Sequence, residues 1–174
     1  MLNLSNTAWS FAVRLIRDDP LLESIASKAI RLLPEAESQD LANLSWSYAR
    51  LYCSNGPLLE ALAASAIRII ASASAQDLSN TVWSFARIGI LHQPLMDAIS
   101  EAALRTLESF GVQNLSNTAW AFSVFQGHFG PKLGLEISAH AFRHCASWSE
   151  PDLQAFGWVR WRVSAGKGSC SPQS

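Results

Sequence analysis

Four asparagines, Asn6, Asn43, Asn80 and Asn117, stand 37 residues apart. Each amide carries a donor and an acceptor on one planar head, so it can read a polar ligand group edge-on. Solubility alone would accept Glu or Lys at these places, and both are better helix formers. The same amide at four equivalent positions points to a recurring hydrogen-bonding task. Four residues further on come Ser10, Ser47 and Ser84, with Ala121 in the fourth place; seven further on come Val13, Arg50, Arg87 and Val124. On a helix the positions i, i+4 and i+7 share a face. The spacing therefore predicts a stripe of amide, hydroxyl and guanidinium that fades in the fourth copy. Thr7, Thr81 and Thr118 border it, Leu44 breaks that border, and Arg14 and Arg17 could join Arg50 and Arg87 in a local basic patch. Two tasks fit the asparagines: capping or bonding to the next unit's backbone, or facing a ligand. The spacing leaves both open.

The elements that position this stripe follow from the same period. Trp9, Trp46, Trp83 and Trp120 keep the 37-residue step; so do Leu4, Leu41, Leu78 and Leu115, and Pro20, Pro57, Pro94 and Pro131. Three residue types of unlike chemistry in one register are the signature of a repeat architecture. Each unit opens with a phrase: LSNTAWSFA at 4–12, LANLSWSYA at 41–49, LSNTVWSFA at 78–86 and LSNTAWAFS at 115–123, with a degenerate LQAFGWVRW at 153–161. Arg31, Arg68 and Arg105 follow their prolines by 11 residues, but Arg143 follows Pro131 by 12, which places one inserted residue in the second half of the fourth unit. The expected fold is all-α, an α-solenoid of 37-residue helix-turn-helix repeats. The repeats run over about 3–39, 40–76, 77–113 and 114–151, a degenerate cap covers 152–163, and residues 1–163 form one domain. The Gly-, Ser- and Pro-containing stretch 164–174 reads as a disordered tail.

Within a unit, a first helix, A, is expected to start at an N-cap Asp40, Asp77, Asn114 or Asp152, with Asn3 in the same place. Proline then opens a second helix, B. Glu23, Glu60 and Asp97 in the first turn of B, and Arg31, Arg68, Arg105 and Arg143 late in B, match the helix dipole. Projected at about 100° per residue, helix A of the first unit puts Leu4, Ala8, Phe11 and Leu15 in the core. Ser5, Trp9, Ala12 and Ile16 flank that face, against a neighbouring unit. The tryptophans could stack flat ligands, but their helical positions point to core or inter-repeat packing.

Composition limits the function classes. Hydrophobic residues make up 49% of the 174-residue chain and charged residues 16%, enough for a core. Hairpin signals and sustained alternation are missing, and Glu60 and Arg68 interrupt the best apolar run, so neither strands nor a membrane span is expected. Cys53, Cys145 and Cys170 share no spacing, which argues for a reducing compartment and against a disulfide framework. Glu136, His140 and His144 fall on one helix face with Cys145 adjacent; two such histidines could hold zinc. No second ligand cluster accompanies them, and they read as surface polar residues on an irregular helix. His92 and His128 fall in loops without identifiable partners. GKGSCS at 166–171 lacks the strand and helix that a phosphate loop needs. No catalytic residue, metal, cofactor or small-molecule substrate is therefore expected.

The phrase Asn-Thr-Ala-Trp-Ala/Ser-Phe-Ala in a 37-residue two-helix unit resembles the octotricopeptide and heptatricopeptide repeats of organellar RNA-binding proteins. It is also similar to the helical repeats of RAP-domain and FAST-kinase-like proteins and of the kinetoplastid RNA-editing substrate-binding complex. The resemblance covers residues 3 to about 145, and more weakly to about 163. It implies binding of single-stranded RNA in a mitochondrion or chloroplast, alongside other proteins of a ribonucleoprotein complex. The implied roles are RNA processing, transcript stability, rRNA maturation and translation. The implied reading surface is Asn6, Asn43, Asn80 and Asn117 with Ser10, Ser47 and Ser84. Ala155 and Phe156 depart from the pattern in the fifth unit. Residues 1–17 have the amphipathic, Arg-containing look of a transit peptide, but they match the repeat position by position, so location rests on the resemblance. The physics supports RNA in part: helical repeats can read one base each, yet 13 Lys and Arg against 14 Asp and Glu give a formal charge of −1, and phosphate contacts dominate affinity. The alternative class is a protein-interaction scaffold of armadillo or TPR type. Armadillo repeats carry Trp four residues before Asn, whereas here Asn precedes Trp by three.

Overall fold

In the computed structural model the described residues are 1–125 together with Glu136, Ile137, Ala139, His140 and Arg143. Seven α-helices run through 1–125: α1 (Leu2–Val13), α2 (Asp19–Leu32), α3 (Ser38–Arg50), α4 (Gly56–Ile69), α5 (Ala75–Ile88), α6 (Gln93–Thr106) and α7 (Val112–Val124). There is no strand among the described residues. The fold is the expected all-α repeat: α1, α3, α5 and α7 are the A helices, and α2, α4 and α6 are the B helices. A helices stack on A helices and B helices on B helices, with the A row much the more closely packed. The degenerate fifth copy, the tail 164–174, Pro131, His128, His144 and Cys145 lie outside the described residues.

The close A row follows from small side chains. Ser5, Ala8, Ala12, Ala42, Ser45, Ala49, Ser79, Ala86, Ser116 and Ala119 are all buried, so backbones can approach. Larger groups fill the space between the A and B rows: Leu22, Leu44, Tyr48, Leu58, Leu59, Leu62, Phe85, Leu95, Met96 and Ile99 are buried there. Tyr48 brings a polar tip into this layer and donates its hydroxyl to Leu22 O at 2.5 Å.

Helix B starts where the proline places it, at the second helical position. The N-caps also repeat at 37: Asp18 Oδ1 accepts from Leu21 N at 3.0 Å, Asn55 Oδ1 from Leu58 N at 2.9 Å, and His92 Nδ1 from Leu95 N at 3.1 Å. His92 is thus a cap rather than a loop residue without a partner. Its Nε2 also lies 3.5 Å from Glu60 Oε1, just as Asn55 Nδ2 donates to Glu23 Oε2 at 3.1 Å. Glu23 and Glu60 were expected as dipole partners of their own helices. They sit beyond the first turn and hold the cap of the next unit instead.

Helix A starts earlier than expected, because the acid is not its N-cap. Glu37, Ser74 and Gly111 hold that place, and Asp40, Asp77 and Asn114 stand three residues in. The carboxylate reaches back to the N-cap amide: Asp40 Oδ2 accepts from Glu37 N at 3.4 Å and Asp77 Oδ2 from Ser74 N at 3.0 Å, the reciprocal half of a capping box. The same three side chains clasp the preceding unit. Ser5 Oγ donates to Asp40 Oδ1 at 2.6 Å, Ser38 Oγ to Asp77 Oδ2 at 2.9 Å, and Ser79 Oγ to Asn114 Oδ1 at 3.1 Å.

Helix A ends in the same way in three units. The amides of Ile16, Cys53 and Ile90 donate to the carbonyls of Phe11, Tyr48 and Phe85, and those of Leu15, Tyr52 and Gly89 to Ala12, Ala49 and Ala86. This paired pattern is the Schellman motif, which needs a left-handed residue just past the helix. Gly89 takes φ +81 without cost, but Leu15 takes φ 56 and Tyr52 φ 52, at about 1–2 kcal/mol each for a side-chain-bearing residue. Leu15, expected in the core, is instead 61% exposed, and Ile16 and Trp9 are exposed with it.

Candidate nucleic-acid interface

The four asparagines lie in one row on the A helices, Asn6 exposed and Asn43, Asn80 and Asn117 half-buried. None of the four side chains caps a first turn or reaches a neighbouring backbone among the described residues. The amides of Asn6, Asn43 and Asn80 make no hydrogen bond there at all; Asn117 Oδ1 accepts from Gln113 Nε2 at 2.8 Å, a surface contact within one helix.

The serines of the expected stripe behave differently. Ser10 is exposed, but Ser47 and Ser84 have no solvent-accessible surface, and Ala121 matches them. Their hydroxyls donate back along their own helices, Ser47 Oγ to Asn43 O at 2.6 Å and Ser84 Oγ to Asn80 O at 2.5 Å; Ser10 Oγ bonds Asn6 O at 2.8 Å. Thr81 and Thr118 are buried likewise, and Thr7 is exposed. These positions face the preceding A helix. They are open in the first unit, where no described helix lies on that flank, and closed in the rest. Ser47, Ser84, Thr81 and Thr118 are therefore packing residues, not part of the open surface, and the hydroxyls of Ser47, Ser84 and Thr118 are satisfied within their own helices.

The open stripe lies on the other side of each asparagine. Gln39, Gln76 and Gln113 are exposed, Trp46, Trp83 and Trp120 are half-buried, and Arg50 and Arg87 are exposed. The surface thus repeats Gln, Asn, Trp and Arg at i−4, i, i+3 and i+7. Spacing alone could have found it, because Gln39, Gln76 and Gln113 also keep the 37-residue step. The tryptophans do pack between repeats, as expected: the Trp83 and Trp120 ring centroids are 6.1 Å apart with planes tilted by 39°. They are not sealed in the core, however, and Trp9 is 46% exposed. The arginines lie over the aromatic rings, Arg50 5.7 Å from the Trp46 centroid and Arg87 5.9 Å from that of Trp83 and 4.5 Å from that of Tyr52. Arg87 also meets the Tyr52 hydroxyl.

Arg14 is exposed at the C-cap of α1. Arg17 is tied into the fold: it donates to Asp19 Oδ1 at 2.7 Å and to the carbonyls of Tyr52 at 3.2 Å and Leu51 at 3.4 Å. It braces the end of α3 and is not a free cation of the stripe.

Over residues 3–129 the chain matches the model of a family described as RNA-editing substrate-binding complex 6 protein. The chain belongs to this family. The match spans the four phrases that carry the asparagines, and it ties the chain to RNA processing through an RNA-editing complex. It bears out the resemblance to the RNA-editing substrate-binding complex and carries no information on octotricopeptide or RAP-domain kinship. No curated protein matches the chain. No helix among the described residues is long and apolar enough to cross a membrane. No group of three His, Cys, Asp or Glu among them could hold a metal ion. His140, read from the sequence as a surface residue, is buried, with Nδ1 3.7 Å from Glu108 Oε1.

Proposed function

We propose that this chain binds single-stranded RNA along the open face of its A helices and acts in RNA processing as a non-catalytic member of an RNA-editing complex. One observation carries the reading: four amides stand at a fixed spacing on one row, and three of them make no hydrogen bond among the described residues. A half-buried amide without an internal partner stays satisfied only by water or by a ligand. Asn offers both halves of a base edge, while Arg14, Arg50 and Arg87 supply cations for phosphates. The family name, RNA-editing substrate-binding complex, supports RNA as the ligand and other proteins of the complex as neighbours. A mitochondrial location goes with that membership, since such complexes are mitochondrial in kinetoplastids; a chloroplast location has no such support. No cofactor, metal or small-molecule substrate enters the proposal. The kinship to octotricopeptide and RAP-type repeats is part of the same reading and rests on the Asn-Thr-Ala-Trp phrase.

A second reading, a peptide-binding scaffold, draws on the near-neutral charge of −1. Binding of a labelled short RNA by fluorescence anisotropy at two salt concentrations separates the two. About three phosphate contacts give a slope of log K on log salt of roughly −2 for a single strand. Absence of RNA binding at low salt would leave the scaffold.

A further inference from the structure

Tyr52 is an odd residue to find where it stands. It occupies the left-handed position that Gly89 fills in the next unit, and its side chain is nevertheless 60% exposed, so burial does not offset the strain. What the ring does is hold Arg87. The guanidinium carbon lies 4.5 Å from the Tyr52 centroid and 5.9 Å from the Trp83 centroid, and Trp83 continues to Trp120 at 6.1 Å. Three successive units thus join one partly exposed π surface with a cation set into it. The asparagine row runs alongside, since Asn80, Trp83 and Arg87 share one face of α5.

We infer that Tyr52, Trp83 and Arg87, with Trp120 beside them, form a stacking site for one unpaired base of the RNA strand that crosses the A helices. This rests on the RNA reading above and adds to it a site that grips a base by its face, whereas the asparagine amides meet base edges. Stacking accepts any base, because every base has a π face. A guanidinium held 4.5 Å and 5.9 Å from two ring centroids adds a cationic, planar partner for the same base. The site therefore supplies affinity without sequence preference, in a chain with little net positive charge.

The test is Tyr52→Gly, a substitution that folding tolerates because glycine already serves at position 89. Two probes are compared by anisotropy: a labelled oligouridylate and an abasic ribose-phosphate strand of the same length. The wild-type chain is expected to bind oligouridylate more tightly than the abasic strand. Tyr52→Gly should lose about tenfold on oligouridylate, in the range for one stacked base, and nothing on the abasic strand. Arg87→Gln should weaken both. Equal oligouridylate affinity for Tyr52→Gly and wild type would overturn the stacking site and leave the RNA reading standing. Failure of the wild-type chain to bind either strand would overturn both, and the surface would fall to a protein partner.

Discussion

Ser5 Oγ donates to Asp40 Oδ1 at 2.6 Å, across 35 residues of sequence and one repeat boundary. Both residues are buried. The aspartate also receives Glu37 N at its own helix start, so one carboxylate starts a helix and locks two units together. Asp40→Ala removes the cap contact and the clasp but leaves Ser5 Oγ its bond to Leu2 O at 2.9 Å, at a cost of about 1–2 kcal/mol. Ser5→Ala alone should cost about 1 kcal/mol. Urea unfolding of both single variants and the double variant should show a coupling of about 1 kcal/mol, because the pair is in contact; strict additivity would mean that the clasp carries no energy.

The helix-ending positions give opposite expectations for similar swaps. Leu15→Gly should stabilise by about 0.5–1 kcal/mol, relieving a left-handed residue whose side chain is mostly in water. Gly89→Ala should destabilise by about 1 kcal/mol, although space is open around the added Cβ. Thermal unfolding of the two variants checks the signs.

Stability should fall at alkaline pH, and Tyr48 should be a main cause. Burial, the largest influence, raises its hydroxyl well above the ordinary tyrosine range, and burial likewise raises the Cys53 thiol. A group whose pKa is higher folded than unfolded keeps its proton in the folded state and loses it first in the unfolded one. Its contribution is complete below the unfolded pKa and is lost as pH rises toward the folded value. For Tyr48 the loss begins near pH 10, the unfolded tyrosine value; for Cys53 it begins somewhat lower. Tyr48→Phe should cost about 1 kcal/mol at neutral pH through the lost bond to Leu22 O. The same variant should flatten the alkaline decline, leaving the Cys53 part. Denaturant midpoints between pH 7 and pH 11 measure both effects.

Ser47 and Ser84 test the revised stripe. Ser47→Ala with Ser84→Ala removes hydroxyls that, among the described residues, bond only within their own helices, so RNA affinity should stay within twofold or so and stability within about 0.5 kcal/mol. Ser84→Leu should wedge the close A row apart and cost about 1–3 kcal/mol.

The period, the helix pairs and the asparagine row were legible in the sequence, because a repeat writes its register several times over. Which side of the asparagine stays open was not. At about 100° per residue, Ser84 lies about 40° to one side of Asn80 and Trp83 about 60° to the other. A projection cannot tell which flank a neighbouring helix will cover. It favoured the hydroxyl on polarity, whereas a close A row requires the small residue inside. Asp40 and Asp77 misled for a related reason: Asp is favoured both at the N-cap and three residues in, and only the neighbouring Ser5 and Ser38 give it a reason for the second. Tyr52 carried no signal, since only Gly89 of the three helix-ending residues has the composition of a left-handed cap. His92 went unread as a cap because imidazole is seldom one, although its 37-residue distance from Asn55 marks the place.

If the asparagine row reads RNA, the anisotropy of a labelled single-stranded RNA pool must separate wild type from a variant that combines Asn6→Ala, Asn43→Ala, Asn80→Ala and Asn117→Ala. Among the described residues three of these amides make no hydrogen bond, and Ala favours helix, so the variant should be as helical and as stable as wild type. It should bind the pool at least tenfold more weakly, with the salt dependence carried by Arg50 and Arg87 retained. Undiminished binding by a folded quadruple variant would mean that the asparagine amides do not read the RNA.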